Sequence, residues 1–113
     1  MPTRLHRLAL MLAASLAFAG HARADDIPVF HVDMKDGRII PGRLEVPANK
    51  PFRLDIANLG RTPAELESTQ LRREKMVAAS ASSALVFRRL EAGEYKFFDD
   101  FHPDGPGMIL VAR

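Results

Sequence analysis

Hydrophobic and polar residues alternate along several short stretches of this chain, the pattern expected of strands that bury one face. The clearest stretch is residues 52–58, where Phe52, Leu54 and Ile56 share one face and the charged residues between them share the other. Beyond the N-terminal segment, no long run has the apolar spacing of an amphipathic helix. Strands are therefore predicted to dominate the fold.

Further strands and the turns between them are predicted from the same alternation and from the glycines and prolines. The strands are expected at 28–34, 44–46, 64–68, 84–90, 94–99 and 108–111, with turns or loops at 35–37, 59–63, 80–83 and 91–93. Residues 64–73 also fit a short helix with a Gln70–Glu74 pair, but an extended segment over Ala64–Ser68 is preferred. About seven short strands with closely spaced turns predict an all-β sandwich.

The first 24 residues have the features of a secretory signal peptide. Basic residues lead into the apolar run 8–19, and Ala22-Arg23-Ala24 precedes Asp25. The run is too short to span a bilayer, so cleavage is predicted, with an uncleaved anchor as the alternative. The prediction is an exported protein with a leader at 1–24 and one domain at 25–113.

Loss of the leader changes the charge balance, because Arg4, Arg7 and Arg23 leave with it and every acid remains. Of the 16 lysines and arginines, 13 are left against 14 acidic residues. A nearly neutral chain gives no reason to expect nucleic acid as a partner. The absence of cysteine excludes a disulfide framework, a thiolate nucleophile and any cysteine-ligated metal site.

Potential metal ligands are concentrated after the strand at 94–99. Asp99, Asp100, His102 and Met108 together offer oxygen, nitrogen and sulfur donors. Each also has a structural interpretation: Asp99 bonding the backbone of the next turn, His102 exposed in a loop, and Met108 in the core. Asp99 and Asp100 are expected on opposite faces of their strand, which is poor geometry for paired acid–base chemistry.

Glu65 and Glu67 share one face of the strand at 64–68, where two carboxylates repel each other. They must be solvated, paired with an arginine such as Arg72 or Arg73, or neutralised by a cation, and the cation is preferred. His31 and Met34 are reserve candidates on opposite faces of the first strand, so at most one points to any given site.

The order of these elements resembles a cupredoxin, a Greek-key β-sandwich. Blue-copper proteins end with an aromatic strand that leads into a cysteine, a histidine-bearing loop and a methionine nine residues after the cysteine. Here Asp99 stands where the cysteine would be and Met108 follows nine residues later, but the expected histidine position is Asp104 rather than His102. The first copper-binding histidine of blue-copper proteins corresponds to a position near Glu65. The resemblance therefore implies that carboxylates replace both the cysteine and this first histidine.

A closer resemblance covers most of residues 25–113. The runs NLGRTPAELES at 58–68, LRREK at 71–75 and LEAGEYKFFDDFHP at 90–103 are similar to the EfeO-type cupredoxin-like domain. That resemblance implies a periplasmic protein of a bacterial ferrous-iron uptake system, working with an inner-membrane iron permease and other periplasmic components. It also implies copper as a cofactor, iron as a second ion or substrate, and copper-assisted oxidation of Fe(II).

Three functional hypotheses follow, and a homodimer remains open. The first is a metal protein of iron uptake with a carboxylate-modified site and a ferroxidase-type activity. The second is a metal chaperone or buffer without turnover, and the third is a structural sandwich whose metal site has lapsed and whose acids pair with arginines. No serine–base set or glycine-rich phosphate loop supports a hydrolase or a transferase.

Overall fold

The computed structural model describes residues 26–113, so the predicted signal peptide at 1–24 lies outside the described residues. Nine β-strands make up this part of the chain. In chain order they are β1 (Val29–Lys35), β2 (Arg38–Ile40), β3 (Arg43–Val46), β4 (Phe52–Asn58), β5 (Ala64–Ser68), β6 (Arg73–Val77), β7 (Ser82–Phe87), β8 (Gly93–Asp99) and β9 (Met108–Ala112). No helix in the described range is long and apolar enough to cross a membrane.

The strands form two sheets packed face to face. One sheet has the order β2-β1-β4-β7 and the other the order β3-β9-β8-β5-β6. The pairs β1–β4 and β3–β9 are parallel, and the other pairs are antiparallel. The predicted all-β sandwich is confirmed, with nine strands rather than about seven because the three-residue β2 and the segment after residue 72 also pair.

Apolar side chains of both sheets meet in one core. In β4 buried and partly buried residues alternate along the whole strand, which confirms the sequence pattern. Phe52 stacks on Phe87 with ring centroids 5.0 Å apart, and Phe87 meets Phe97 edge to face at 6.4 Å. These rings join β4 and β7 of one sheet to β8 of the other, so the core fixes how the sheets face each other.

The segment that also fitted a short helix is a strand, a turn and a strand. Ala64, Leu66 and Ser68 are buried while the glutamates between them are partly exposed, which is the alternation of a strand. The turn after β5 includes Arg72 at φ 52°, and the amide of Leu71 donates to the Ser68 hydroxyl at 3.4 Å. The extended assignment of 64–68 is therefore confirmed.

The boundaries of β7 differ from the prediction. The sequence pattern placed a loop at 80–83 and a strand at 84–90, whereas β7 begins at Ser82 and ends at Phe87. Ser82 and Ser83 pair with Ala57 and Ile56 of β4. Two polar residues therefore extend the strand because their backbone completes the ladder, a pairing that composition does not indicate.

Candidate metal site

The candidate site lies where β5 and β8 run side by side. Their register pairs Leu66 with Asp99 and Glu67 with Phe98. The backbone amide of Asp100 donates to the carbonyl oxygen of Glu65 at 2.9 Å. Successive side chains of a strand point to opposite faces of the sheet. Asp99 therefore points into the sandwich, while Asp100 is exposed on the outer side with Glu65 and Glu67.

Asp99 is buried, with 3 % of its surface exposed, and both of its carboxylate oxygens are hydrogen-bonded. Oδ1 accepts from the backbone amides of Glu65 at 3.0 Å and Phe101 at 3.1 Å. Oδ2 lies 3.0 Å from Nδ1 of His102. An ionised carboxylate can only accept, so the tautomer of His102 with its proton on Nδ1 is the one that donates to Asp99.

His102 is held in place from several sides. Its backbone amide donates to the Asp99 carbonyl at 2.9 Å, and its own carbonyl accepts from Gly105 at 3.0 Å. Gly37 packs so closely that a Cβ built there would lie 2.9 Å from Cβ of His102. The side chain stays 38 % exposed and borders a shallow cleft with Thr62, Pro63 and Phe101.

Met108 lies in the core. It pairs with Phe97 across β8 and β9 and has no exposed surface. Asp99 is two residues beyond Phe97, so the thioether and the Asp99 carboxylate belong to the same inner face. The metal role predicted for Asp99, His102 and Met108 stays a prediction.

Glu65, Glu67 and Asp100 form a carboxylate cluster on the outer side of the sheet. Each offers one oxygen, and these oxygens all lie within 4.8 Å of one another. Glu74 is the cross-strand partner of Glu67 and adds a fourth acid to the neighbourhood. A cation held here would have oxygen donors only.

The pKa values of two members of the cluster are raised, first by burial and then by the neighbouring acids. Burial raises the pKa of Glu65, and the negative charges of Glu74 and Asp100 raise it further. The pKa of Glu67 is also raised, by burial first and then by its hydrogen bond with Glu74 and the charge of Asp100. Such shifts mean that charged carboxylates are disfavoured here, and a bound cation would reverse this effect.

No arginine compensates the cluster within residues 26–113. Ion pairs there include Arg43–Glu94, Arg53–Asp55, Asp99–His102 and Arg113–Glu45. Arg73 instead lies over the ring of Phe87, 4.6 Å from its centroid, and donates to the carbonyl of Val86. The arginine pairing required by the lapsed-site hypothesis is absent from the described residues.

Neither reserve candidate is a member of the carboxylate cluster found in the described residues. His31 is exposed on β1 in the other sheet, where Asp55 is its neighbour on β4. Met34 has no exposed surface and belongs to the core. Their opposite orientation was predicted correctly: His31 is on the exposed side of β1, and Met34 shares the core cluster with Leu66 of β5 and Phe97 of β8.

Sequence reasoning missed two residues that shape the site. Glu74 was considered only in the short-helix alternative, as a partner of Gln70, whereas the structure places it opposite Glu67 on the strand after the turn. Asn58 is 2 % exposed, and its side-chain amide donates to the carbonyls of Thr62 and Val77 at 2.8 and 3.0 Å. A buried amide just before a Gly–Arg–Thr–Pro turn signals such a bracing role.

Comparison with known families agrees with this architecture. The family model described as the cupredoxin-like domain matches residues 8–111. The chain belongs to the cupredoxin-like domain family. A relative with 38 % identity over 88 residues is an uncharacterized protein of Rickettsia prowazekii (strain Madrid E); the match covers 77 % of this chain and 70 % of the relative.

Solved cupredoxins share the fold at low sequence identity. Reduced auracyanin of Roseiflexus castenholzii aligns with a TM-score of 0.64 at 10 % identity, covering 75 % of this chain and 96 % of that protein. The purple cupredoxin of Nitrosopumilus maritimus aligns at 0.56 and 15 %, covering 74 % and 98 %. The metal-binding domain of the Cu(I)-exporting P-type ATPase of Streptococcus pneumoniae D39, solved with Cu(I), aligns at 0.64 and 10 %, covering 81 % and 91 %.

The cupredoxin-like family implies copper, and the donors on the inner side of this sandwich are Asp99, His102 and Met108. This chain has no cysteine, and the carboxylate at the end of β8 already accepts three hydrogen bonds. Nδ1 of His102 is used by one of them. In this arrangement Nδ1 of His102 and the Asp99 carboxylate bind each other, so a copper ion would reach this ring only through Nε2, with Asp99 orienting the ring rather than sharing the ion with it.

Proposed function

We propose that this cupredoxin-like chain is an exported metal-binding protein of a bacterial iron-uptake system, and that it carries the ion on Glu65, Glu67 and Asp100. One observation carries the proposal: three carboxylate oxygens lie within 4.8 Å of one another with no arginine paired to them in the described residues. Carboxylates that raise one another's pKa gain stability when a cation binds between them.

The ligand chemistry indicates which ions the cluster would take. Oxygen donors favour harder ions, and Fe(II) and Fe(III) fit a negative, oxygen-rich locus better than Cu(I) does. Cu(II) would compete, because divalent copper binds more tightly than ferrous iron at a given site. Without a thiolate, a copper-loaded protein would lack the intense blue colour of copper–thiolate coordination.

The position of the cluster supports binding and transfer. Glu65 and Glu67 are partly exposed and Asp100 is exposed, so an ion can enter and leave without opening the core. Such access suits a periplasmic carrier that passes iron to an inner-membrane permease, the partner implied by the resemblance to EfeO-type domains. Copper-assisted oxidation of Fe(II) belongs to the same resemblance, and no step of it is derived from these residues.

Metal titration of the 25–113 chain tests the proposal. Calorimetry with anaerobic Fe(II), and separately with Cu(II), is expected to give one ion per chain. Glu65→Gln, Glu67→Gln and Asp100→Asn each remove a ligand charge and should weaken binding about tenfold or more. Glu91→Gln changes an acid in another turn and is the matched control. A triple variant that combines these three substitutions and binds the metal with unchanged affinity would refute the assignment of the site to Glu65, Glu67 and Asp100.

A second measurement separates a carrier from an oxidase. The concentration of Fe(II) is followed over time in air. Both copper and the protein are present at concentrations far below that of the iron. A carrier protects at most one Fe(II) per chain, whereas a ferroxidase consumes many. Turnover that depends on copper would replace the carrier role with the ferroxidase-type activity.

A further inference from the structure

The Asp99 carboxylate joins three parts of the chain at the end of the sandwich. It accepts the amide of Glu65 at the start of β5, 34 residues away in sequence. It also accepts the amide of Phe101 and the ring of His102 from the loop after β8. A buried carboxylate is costly unless its oxygens are hydrogen-bonded, and here each oxygen has protein donors.

The loop is also held from the opposite side. Gly37 at φ 87° lies against His102, and a Cβ on Gly105 would overlap the carbonyl of Gly37. The turn between β1 and β2 therefore packs on the loop that carries His102.

We infer that Asp99 and His102 form a metal-independent clasp, which closes the end of the sandwich and positions the carboxylate cluster, rather than a pair of copper ligands. The clasp fixes the backbone of Glu65 through its amide, and the Glu65 carbonyl in turn binds the amide of Asp100. Glu65 and Asp100 are thereby set at the spacing of the cluster. This positioning role rests on the proposed function, whereas metal independence rests on the hydrogen bonds alone.

Two replacements of His102 distinguish a clasp from a ligand. His102→Asn places a side-chain N–H near the position of Nδ1, so it retains a donor to Asp99 while removing the imidazole. His102→Ala removes both. Asp104→Asn changes an exposed acid of the same loop and serves as the control. Each variant is made in the 25–113 chain and compared with the wild type after chelation.

The clasp predicts that chelation leaves the wild-type melting temperature unchanged. His102→Ala and Asp99→Asn should lower it by about 5–10 °C, while His102→Asn retains most of the wild-type value. In the metal-free protein, the nitrogen NMR signals of His102 should show a protonated Nδ1. Cu(II) and Fe(II) stoichiometry should stay at the wild-type value in His102→Asn.

Two results would overturn the clasp. One is a chelated wild type that melts like His102→Ala, and the other is equal loss of Cu(II) binding in both His102 variants. Failure of the proposed function has a different signature, in which the triple variant of the cluster binds metal like the wild type. The melting temperatures of the Asp99 and His102 variants test the clasp whether or not the carboxylate cluster binds metal.

Discussion

At the scale of single residues, neighbouring acids in this chain have opposite environments. Asp99 is buried and accepts three hydrogen bonds, whereas Asp100 is exposed beside Glu65 and Glu67. Alternation along a strand end separates them, because successive side chains point to opposite faces. One carboxylate therefore stabilises the fold, and the next is available to a cation.

The raised pKa of Glu67 makes a prediction about pH. In the folded chain Glu67 holds its proton more tightly than in the unfolded chain, where the ordinary value is 4.5. Its contribution to the stability of the metal-free protein is therefore present at low pH and is lost as the pH rises through the raised pKa.

Glu67→Gln should consequently raise the melting temperature of the chelated protein at pH 7 and leave it nearly unchanged at pH 4. Thermal denaturation followed by circular dichroism at the two pH values checks this. Glu91→Gln should have little effect at either. Equal melting temperatures of Glu67→Gln and wild type at pH 7 would show that the carboxylates do not repel one another measurably.

At the scale of elements, the turn between β1 and β2 has a role that its residues predict only in part. Lys35-Asp36-Gly37 was predicted as a turn, and Asp36 and Gly37 do have positive φ values of 48° and 87°. The contact of Gly37 with His102 was not predictable, because it joins segments 65 residues apart. Glycine is needed here for both its backbone conformation and its lack of a side chain.

Gly37→Ala is therefore expected to lower the free energy of unfolding by about 1–3 kcal/mol, from the left-handed backbone and the contact with His102. Gly42→Ala is the matched control, since a Cβ there meets no atom within 4 Å. Urea denaturation of both variants measures the difference. Equal stability of Gly37→Ala and Gly42→Ala would mean that the close contact between Gly37 and His102 is not needed for stability.

At the scale of the whole molecule, one core supports both sheets and hence both parts of the site. Phe97 has no exposed surface, meets Phe87 of the opposite sheet and lies two residues before Asp99. The packing that holds β8 against the core therefore also sets where Asp99 and Asp100 are placed.

Phe97→Ala should destabilise the domain by about 3–5 kcal/mol, a large part of the stability of a domain of this size. Phe101→Ala, at a residue 47 % exposed, should cost only about 1 kcal/mol. Chemical denaturation compares the two. Similar losses in both variants would contradict a core centred on the rings of β4, β7 and β8.

Much of the fold was predictable because its signals are local. The alternation in 52–58 and the turn at 35–37 each depend on a few adjacent residues, and both were predicted correctly. The ends of β7 were not, since Ser82 and Ser83 are strand residues only through their pairing with β4. The Glu74 position was missed because a turn can precede either a helix or a returning strand.

Composition and the period of two were enough to predict the all-β class, the common strand face of Glu65 and Glu67, and the absence of any thiolate ligand. Tertiary structure decided which acids meet. Asp100 joins Glu65 and Glu67, and Asp99 turns inward to His102, because β5 and β8 are brought together by a shared core from distant parts of the chain. That pairing depends on long-range packing, which no local pattern encodes.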